Sequence, residues 1–388
     1  MEQGLTYKPK VAIIGAGPAG CMCGITLAND CDVTLFDVSK PLLTLLATGG
    51  GRCNLAHDEF NFKELAHSYP RGEKFLYSPF SKFSTADTLE FFENIGVKTY
   101  TQDDGRIFPV SNSAKDVRAK MLSQLKNAKF LQEKVLDVQK IDEKFYVRTL
   151  KNKYIFDYVV IAIGTHYGLQ FLNKLPHKLK ELKPSLCGLI TKYDVSTLKG
   201  VVLKDIILKY KKIALEGDML FTDNGVSGPV IFELSSRNSR VDYPYDVKIQ
   251  FIKNISELED ALQNDGNKAI KNVLHKFLPK SFVGFMLKFL KIDEDMKVKS
   301  LPTNTKVLLL ENIKGFGMTF VKSRKGGETV FSGGVDLSKI GSNFESKIVK
   351  NLYFCGEILD IDGFCGGYNL QNCWTSGHLA GMSILETM

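Results

Sequence analysis

Six residues, Gly15-Ala16-Gly17-Pro18-Ala19-Gly20, follow the apolar run Lys10-Val11-Ala12-Ile13-Ile14, and their spacing has a specific chemical use. A strand that stops in such a turn and opens a helix lets backbone N–H groups approach a pyrophosphate, with the positive end of the helix dipole behind them. The next apolar stretch ends at Asp37, about 20 residues on, where a dinucleotide fold places a carboxylate on the adenosine ribose hydroxyls. A second glycine-rich segment, Gly366-Gly367-Tyr368-Asn369-Leu370-Gln371, lies near the other end of the chain. It follows Leu352-Tyr353-Phe354-Cys355-Gly356-Glu357, another apolar run ending in glycine and acid. If both ends build one site the ligand is long, which favours FAD over a smaller nucleotide.

These groups need a scaffold, and the hydrophobic pattern supplies one. The N-terminal stretch reads as strand (11–14), glycine turn, helix (20–29) and strand (32–36), a βαβ unit. Residues 158–163 form a second buried strand running into Gly164, as expected of a parallel strand that ends beside a ligand. Helices are expected over 86–94 and 116–126 and a hairpin over 135–156. From Cys187 the pattern changes to short alternating strands at 188–193, 201–210 and 247–252. Residues 256–312 turn helical, with Phe277, Leu278, Phe282, Phe285, Met286 and Phe289 mostly on one face that packs within its own domain. The chain returns through Phe331-Ser332-Gly333-Gly334, the strand 352–355 and a last helix over 372–385. The fold class is α/β. The expected domains are 1–186 with 331–388 for the nucleotide, 187–255 with 313–330 as an inserted β-rich domain, and 256–312 as a helical insertion.

Composition narrows the partners. The 388 residues carry 51 Lys and Arg against 43 Asp and Glu, a formal charge of +8 that fits solvated faces and is also compatible with RNA or an anionic cofactor. The uncharged run 11–28 is broken by glycines and Pro18, so it reads as strand, turn and helix and not as a membrane span. Neither a membrane nor DNA is expected as a partner. The eight cysteines are expected to be reduced thiols in a cytoplasm. They include no Cys-x-x-Cys pair and no zinc-like spacing, so no metal is expected. Gly315-Phe316-Gly317 lacks the third glycine of a second dinucleotide turn, which leaves NAD(P)H as a transient electron donor without a domain of its own.

With these residues in hand, the chain resembles the HI0933-like flavoproteins, also called the BaiN/RdsA family of NAD(P)/FAD-dependent oxidoreductases. The marks are Gly49-Gly50-Gly51-Arg52-Cys53-Asn54, Phe221-Thr222-Asp223-Asn224-Gly225-Val226-Ser227-Gly228-Pro229, Ser332-Gly333-Gly334-Val335, and the stretch from Gly356-Glu357 through Asp362 to Gln371. The resemblance implies a Rossmann-type FAD-binding domain of the two-dinucleotide flavoprotein type, with inserted β-rich and helical domains. It assigns Gly15, Gly17, Pro18, Ala19 and Gly20 to the pyrophosphate turn, Asp37 to the ribose, and Gly50, Gly51, Arg52, Cys53 and Asn54 to a segment beside the flavin. Val135 matches the strand that meets adenine. Gly164, Gly356, Glu357, Asp362, Gly366, Gly367, Tyr368, Asn369, Leu370 and Gln371 complete the expected cofactor set. The chain departs from the family at Thr44, usually basic, at Asp223, usually His, and in the loop after Gly164, shortened to Thr165-His166-Tyr167-Gly168.

The flavin carries the redox chemistry, so the protein has to place it and tune it. Arg52 either stabilises negative charge on the reduced flavin or grips an anionic substrate, or else it forms a salt bridge that holds the glycine loop. Cys53 stands alone in its segment, which argues for a packed thiol over a dithiol relay. Reduction of a carbon–carbon double bond needs a proton donor opposite the hydride, and Tyr368 either fills that role or forms a wall of the pocket. His166 and Asp223 are weaker candidates that also suit surface structure. Asn369 and Gln371 either bond flavin edges or cap the last helix. The expected function is an FAD-dependent oxidoreductase that delivers hydride to a cyclic enone or to a uridine in ribosomal RNA. The alternative is a non-catalytic flavoprotein module that binds RNA or protein.

Overall fold

The computed structural model of the chain describes residues 8–165, 169–324 and 330–388. They divide into two compact units, Met1–Lys183 with Phe331–Met388, and Pro184–Val330.

The larger unit is organised by a five-stranded sheet. Its strands are β1 (Lys10–Ile14), β2 (Asp32–Asp37), β3 (Lys129–Gln132), β4 (Tyr158–Ile161) and β5 (Leu352–Phe354), in the order β5-β4-β1-β2-β3. All four pairings are parallel, with Ile14 opposite both Phe36 and Ile161. Strands covered on both faces need apolar residues at consecutive positions, and β4 and β5 are buried at every residue. The connections from β1 leave toward β2 on one side and β4 on the other. A crevice therefore opens beyond the carboxyl end of β1, where doubly wound sheets take their ligands.

Helix α1 (Pro18–Leu27) begins directly after the turn, with Pro18 in the first position, where a missing N–H costs nothing. Gly15 makes that turn possible. Its φ is +105°, and a Cβ there would stand 2.2 Å from the Ala162 carbonyl oxygen. The last helix, α2 (Tyr368–Glu386), starts four residues before the expected 372, because Gly367 adopts a left-handed conformation that sets the helix start. Tyr368, Asn369, Leu370 and Gln371 are thus its first turn. The expected hairpin over 135–156 is a three-stranded antiparallel meander, Val135–Ile141, Lys144–Thr149 and Lys153–Phe156.

The unit Pro184–Val330 contains a closed barrel of six strands, each paired antiparallel with its neighbours. In barrel order they are Leu189–Thr191, Gly225–Ser227, Ile213–Phe221, Val202–Tyr210, Tyr245–Gln250 and Phe316–Ser323. Closure leaves no open sheet edge. The helical segment within 256–312 has no separate core: Phe282, Val283, Met286 and Leu287 join Leu208, Val247 and Phe320 of the barrel in one buried cluster. Phe277 and Phe285 pack on that cluster partly buried, and Phe289 is exposed.

Candidate cofactor site

A cavity of about 350 Å³ lies in the crevice predicted by the sheet order. Gly15, Gly17, Pro18 and Ala19 form one wall, Asp37, Val38 and Ser39 the rim after β2, and Glu133, Lys134 and Val135 the far side. Ala162, Ile163, Gly164 and Phe171 follow β4, and Gly356, Glu357 and Cys373 come from the C-terminal segment. Residues from both ends of the chain therefore share one wall.

The turn is held from several directions. Gly15 N–H donates to Phe36 O at 2.7 Å, Leu42 N–H to Ala16 O at 2.8 Å, and Ala162 N–H to Ile14 O at 2.7 Å. Asp37 joins turn and rim. Its Oδ2 accepts Ala16 N–H at 2.7 Å, and its Oδ1 accepts the N–H and hydroxyl of Ser39 at 2.8 and 2.9 Å. A carboxylate has about four acceptor positions, so Asp37 keeps capacity for ligand hydroxyls while its orientation is fixed by protein. Gly17 differs from Gly15 and Gly20. A Cβ built on Gly20 would stand 1.9 Å from Gly15 O, whereas one on Gly17 meets nothing within 4 Å. Gly20 serves helix–strand contact, and Gly17 borders open space. An unobstructed glycine at a helix N-terminus, with an oriented acid beside it, fits a dinucleotide pyrophosphate and ribose.

The remaining expected residues group elsewhere in the same unit. Gly50, Gly51, Arg52, Cys53, Asn54, Gly366, Gly367, Tyr368, Asn369, Leu370 and Gln371 are outside the cavity lining. They meet one another instead. Gly367 has φ +101°, and a Cβ on it would stand 2.4 Å from Ala56 O. Asn54, with its amide oriented to donate to Ala56 O and Ile107 O, accepts Gly367 N–H at 3.0 Å. His57 Nδ1 lies 3.1 Å from Gly366 O, and its ring stacks on Tyr368 at 4.7 Å between centroids. Tyr69 O–H donates to Tyr368 O at 2.5 Å. The glycine loop and the start of α2 are thus one locked assembly.

Several side chains have roles that the sequence did not indicate. Arg52 makes no salt bridge among the described residues. Its guanidinium lies 4.1 Å from the Phe108 ring centre, and Nε approaches Gly49 O at 3.4 Å. Cys53 is fully buried, and burial pushes its thiol up to about 12, so it is a packing group. Asp362 is fully buried with both oxygens taken by Arg71, which leaves its carboxylate structural. Gln371, also fully buried, donates to Thr88 and Thr375 at 2.8 and 3.1 Å, turned away from any open space. Asn369 neither caps α2 nor faces the cavity, because it brackets Gly363 with bonds of 2.9 and 3.0 Å. Leu370 packs against the core.

Asp223 is an exposed residue of the other unit. Lys199 at 2.6 Å holds its carboxyl below the usual carboxylate range, the reverse of what a proton donor needs. His166 lies outside the described residues. Gly315-Phe316-Gly317 joins the helix Thr303–Gly315 to the barrel strand Phe316–Ser323, the opposite order to a dinucleotide turn. Glu133, Lys134 and Phe171 were not singled out in sequence. Their signal was weak, a short break before Val135 and one aromatic beyond Gly164.

Tyr368 is nine-tenths buried against His57 and Tyr69, and burial raises its phenol above the ordinary value, so it holds its proton through neutral pH. Cys373, half-exposed on the cavity wall, has its thiol raised to about 12 by burial and by nearby Glu357.

A parallel sheet with this crevice, the acid after β2 and a C-terminal segment in the same wall define a Rossmann-type FAD-binding domain of the two-dinucleotide flavoprotein class. The chain belongs to the HI0933-like family, matching its HI0933-like protein Rossmann domain over residues 9–383. It is 26% identical to a 3-dehydro-bile acid delta(4,6)-reductase of Clostridium scindens, over 97% of this chain and 99% of that protein. It is 27% identical to a ribosomal RNA dihydrouridine synthase of Haemophilus influenzae, over 96% and 97% of the two chains. An Escherichia coli ribosomal RNA dihydrouridine synthase is 28% identical, over 94% and 95%. Among solved structures, the Mycobacterium smegmatis Sdh1 complex in the apo form aligns with a TM-score of 0.50 at 13% identity, covering 98% of this chain and 68% of that one. That likeness is one of fold.

Proposed function

We propose that the protein is an FAD-dependent reductase of a carbon–carbon double bond conjugated to a carbonyl, and that its substrate is a uridine in RNA. The observation that carries the first part is the cavity that joins Gly17, Asp37 and Glu357 in one wall. The two kinds of relative differ in substrate and agree in chemistry, since a steroid enone and the 5,6-bond of uracil are both α,β-unsaturated carbonyl systems. Each is reduced by hydride at the β-carbon and a proton at the α-carbon.

The protein's part follows from its residues. Backbone N–H groups at the start of α1 hold the pyrophosphate, Asp37 the ribose, and Val135 borders the adenine end. FAD, once bound, supplies the hydride, and NAD(P)H is the proposed source of its electrons. Arg52, free of any carboxylate partner among the described residues, offers a positive charge close to the glycine loop. Tyr368 keeps its proton at neutral pH and is the proposed acid for the α-carbon. Its stacking on His57 fixes the ring, so donation needs no rotamer search.

The choice of RNA rests on charge. Residues 184–330 contain 23 Lys and Arg against 17 Asp and Glu, so most of the chain's net charge of +8 falls in the barrel-containing unit. A small cyclic enone is the second reading, favoured by the relative named for bile acids. The deciding experiment is anaerobic reduction of the holoprotein with NADH and with NADPH, followed by mixing with ribosomal RNA or with a steroid enone. Rapid flavin reoxidation by RNA with dihydrouridine formed supports the proposal. Reoxidation by the enone alone replaces the substrate, and a flavin inert to every donor and acceptor leaves a binding module.

A further inference from the structure

The excess positive charge of the smaller unit is not evenly spread. Lys209 and Lys248 stand directly opposite each other on adjacent antiparallel strands of the barrel. Both side chains are exposed, so they leave the same outer face. Like charges at directly opposed positions destabilise a sheet, and nothing nearby offsets this pair. Their outer cross-strand neighbours are Ala214, opposite Lys209, and Gly317, opposite Lys248, which carry no charge and little bulk. Lys211 and Lys212, exposed in the turn after Tyr210, extend the cluster, and Lys211 Nζ lies 5.0 Å from the centre of the Tyr210 ring.

The acids on this face are already engaged. Glu216, opposite Ile207, is paired with Lys253. Asp246, two residues from Lys248, accepts the Thr319 hydroxyl at 2.6 Å. Among the described residues, Lys209, Lys211, Lys212 and Lys248 form no ion pair. Elsewhere in the unit, surface lysines commonly have carboxylate partners, as Lys199, Lys268, Lys271, Lys276 and Lys314 do.

We propose that Lys209 and Lys248, with Lys211 and Lys212 at the adjoining turn, form a contact strip for the phosphate backbone of RNA. This rests on the reading of RNA as substrate, and it adds where the polymer is held. Two ammonium groups on neighbouring strands, flanked by Ala214 and Gly317, form a flat cationic surface that successive phosphates can approach. The repulsion between the two lysines is relieved when phosphates are bound. Such contacts position a nucleic acid without reading its sequence. The reacting uridine would be selected at the flavin and not on this strip.

The test measures binding of a fluorescent oligouridylate to the full-length holoprotein by anisotropy across a series of KCl concentrations. Wild type is compared with K209A/K248A and with K288A/K291A, which removes the same charge from two other exposed lysines of the unit. In K209A/K248A the slope of log affinity against log salt should shrink by about 1.4, at about 0.7 per phosphate released from a single strand. In K288A/K291A the slope should remain that of wild type. The melting temperature of K209A/K248A should equal or exceed the wild-type value, because a repulsive pair has been removed, which also verifies folding. Wild type that binds no RNA overturns the RNA reading itself. RNA binding that is the same in wild type and K209A/K248A overturns the strip alone. Lysine-dependent binding to phosphatidylserine vesicles without RNA binding would make the face a membrane contact and overturn the proposal.

Discussion

Asp37 Oδ2 accepts the Ala16 N–H at 2.7 Å, so the acid that ends β2 is fastened to the glycine turn that ends β1. The bond couples the two halves of the nucleotide grip. A shift of the ribose acid moves the pyrophosphate turn with it.

Asp37→Ala should therefore weaken FAD binding through both halves. A hydrogen bond to a charged group contributes about 1.5–3 kcal/mol, which corresponds to roughly a 10- to 100-fold rise in Kd. Asp37→Asn keeps an acceptor for Ala16 N–H and should lose less. Titration of the apoprotein with FAD, followed by flavin fluorescence, checks the order of the three proteins.

Gly17→Val separates cofactor binding from folding. No protein atom lies within 4 Å of the added Cβ, so the variant should fold, yet its side chain would project into the space expected for the pyrophosphate. Gly20→Ala brings a Cβ to 1.9 Å from Gly15 O and should lower the melting temperature. A folded Gly17→Val protein that stays yellow would displace the pyrophosphate from this turn.

Arg52→Ala should retain FAD and alter the rate of flavin reduction. The lost contact with Phe108 is a cation–π interaction of about 0.5–1 kcal/mol, so stability should fall only slightly. Stopped-flow reduction by NADPH provides the measurement, and unchanged rates would remove Arg52 from the chemistry.

Tyr368→Phe should slow substrate reduction by about 10²- to 10⁴-fold, the usual contribution of a positioned acid, while reduction of the flavin by its donor stays unchanged. The pH dependence has a definite sign. A phenol whose pKa is raised by burial stays protonated as the pH increases, so wild-type activity should hold through neutral pH and decline only on the alkaline side. That alkaline decline should vanish in the Phe variant. An identical profile in both proteins would leave Tyr368 as a wall.

The parts of the site made by continuous apolar strands were legible in the sequence. β1, the turn at Gly15 and Asp37 announce themselves because a parallel strand buried on both faces cannot alternate, and its end is marked by glycine or acid. The barrel was only half legible. The strand Ile213–Phe221 is hidden by Glu216-Gly217-Asp218, which break the apolar alternation, and closure depends on pairings such as Asp246 with Thr319 that lie far apart in sequence. Side-chain direction at the second glycine segment was not readable at all. Gln371 and Asn369 are amides of the kind that bond flavins, and only the early start of α2 reveals that one turns into the core and the other back to Gly363.

The fifth strand of the sheet, Leu352–Phe354, lies beside β4 although nearly 200 residues separate them in the chain. A ribosome making this protein therefore exposes an incomplete sheet, with the edge of β4 bare, through the whole translation of the barrel. Pigment can be captured fully only once the final helix has cleared the exit tunnel. Nascent chains stalled before that point should be colourless and dependent on chaperones.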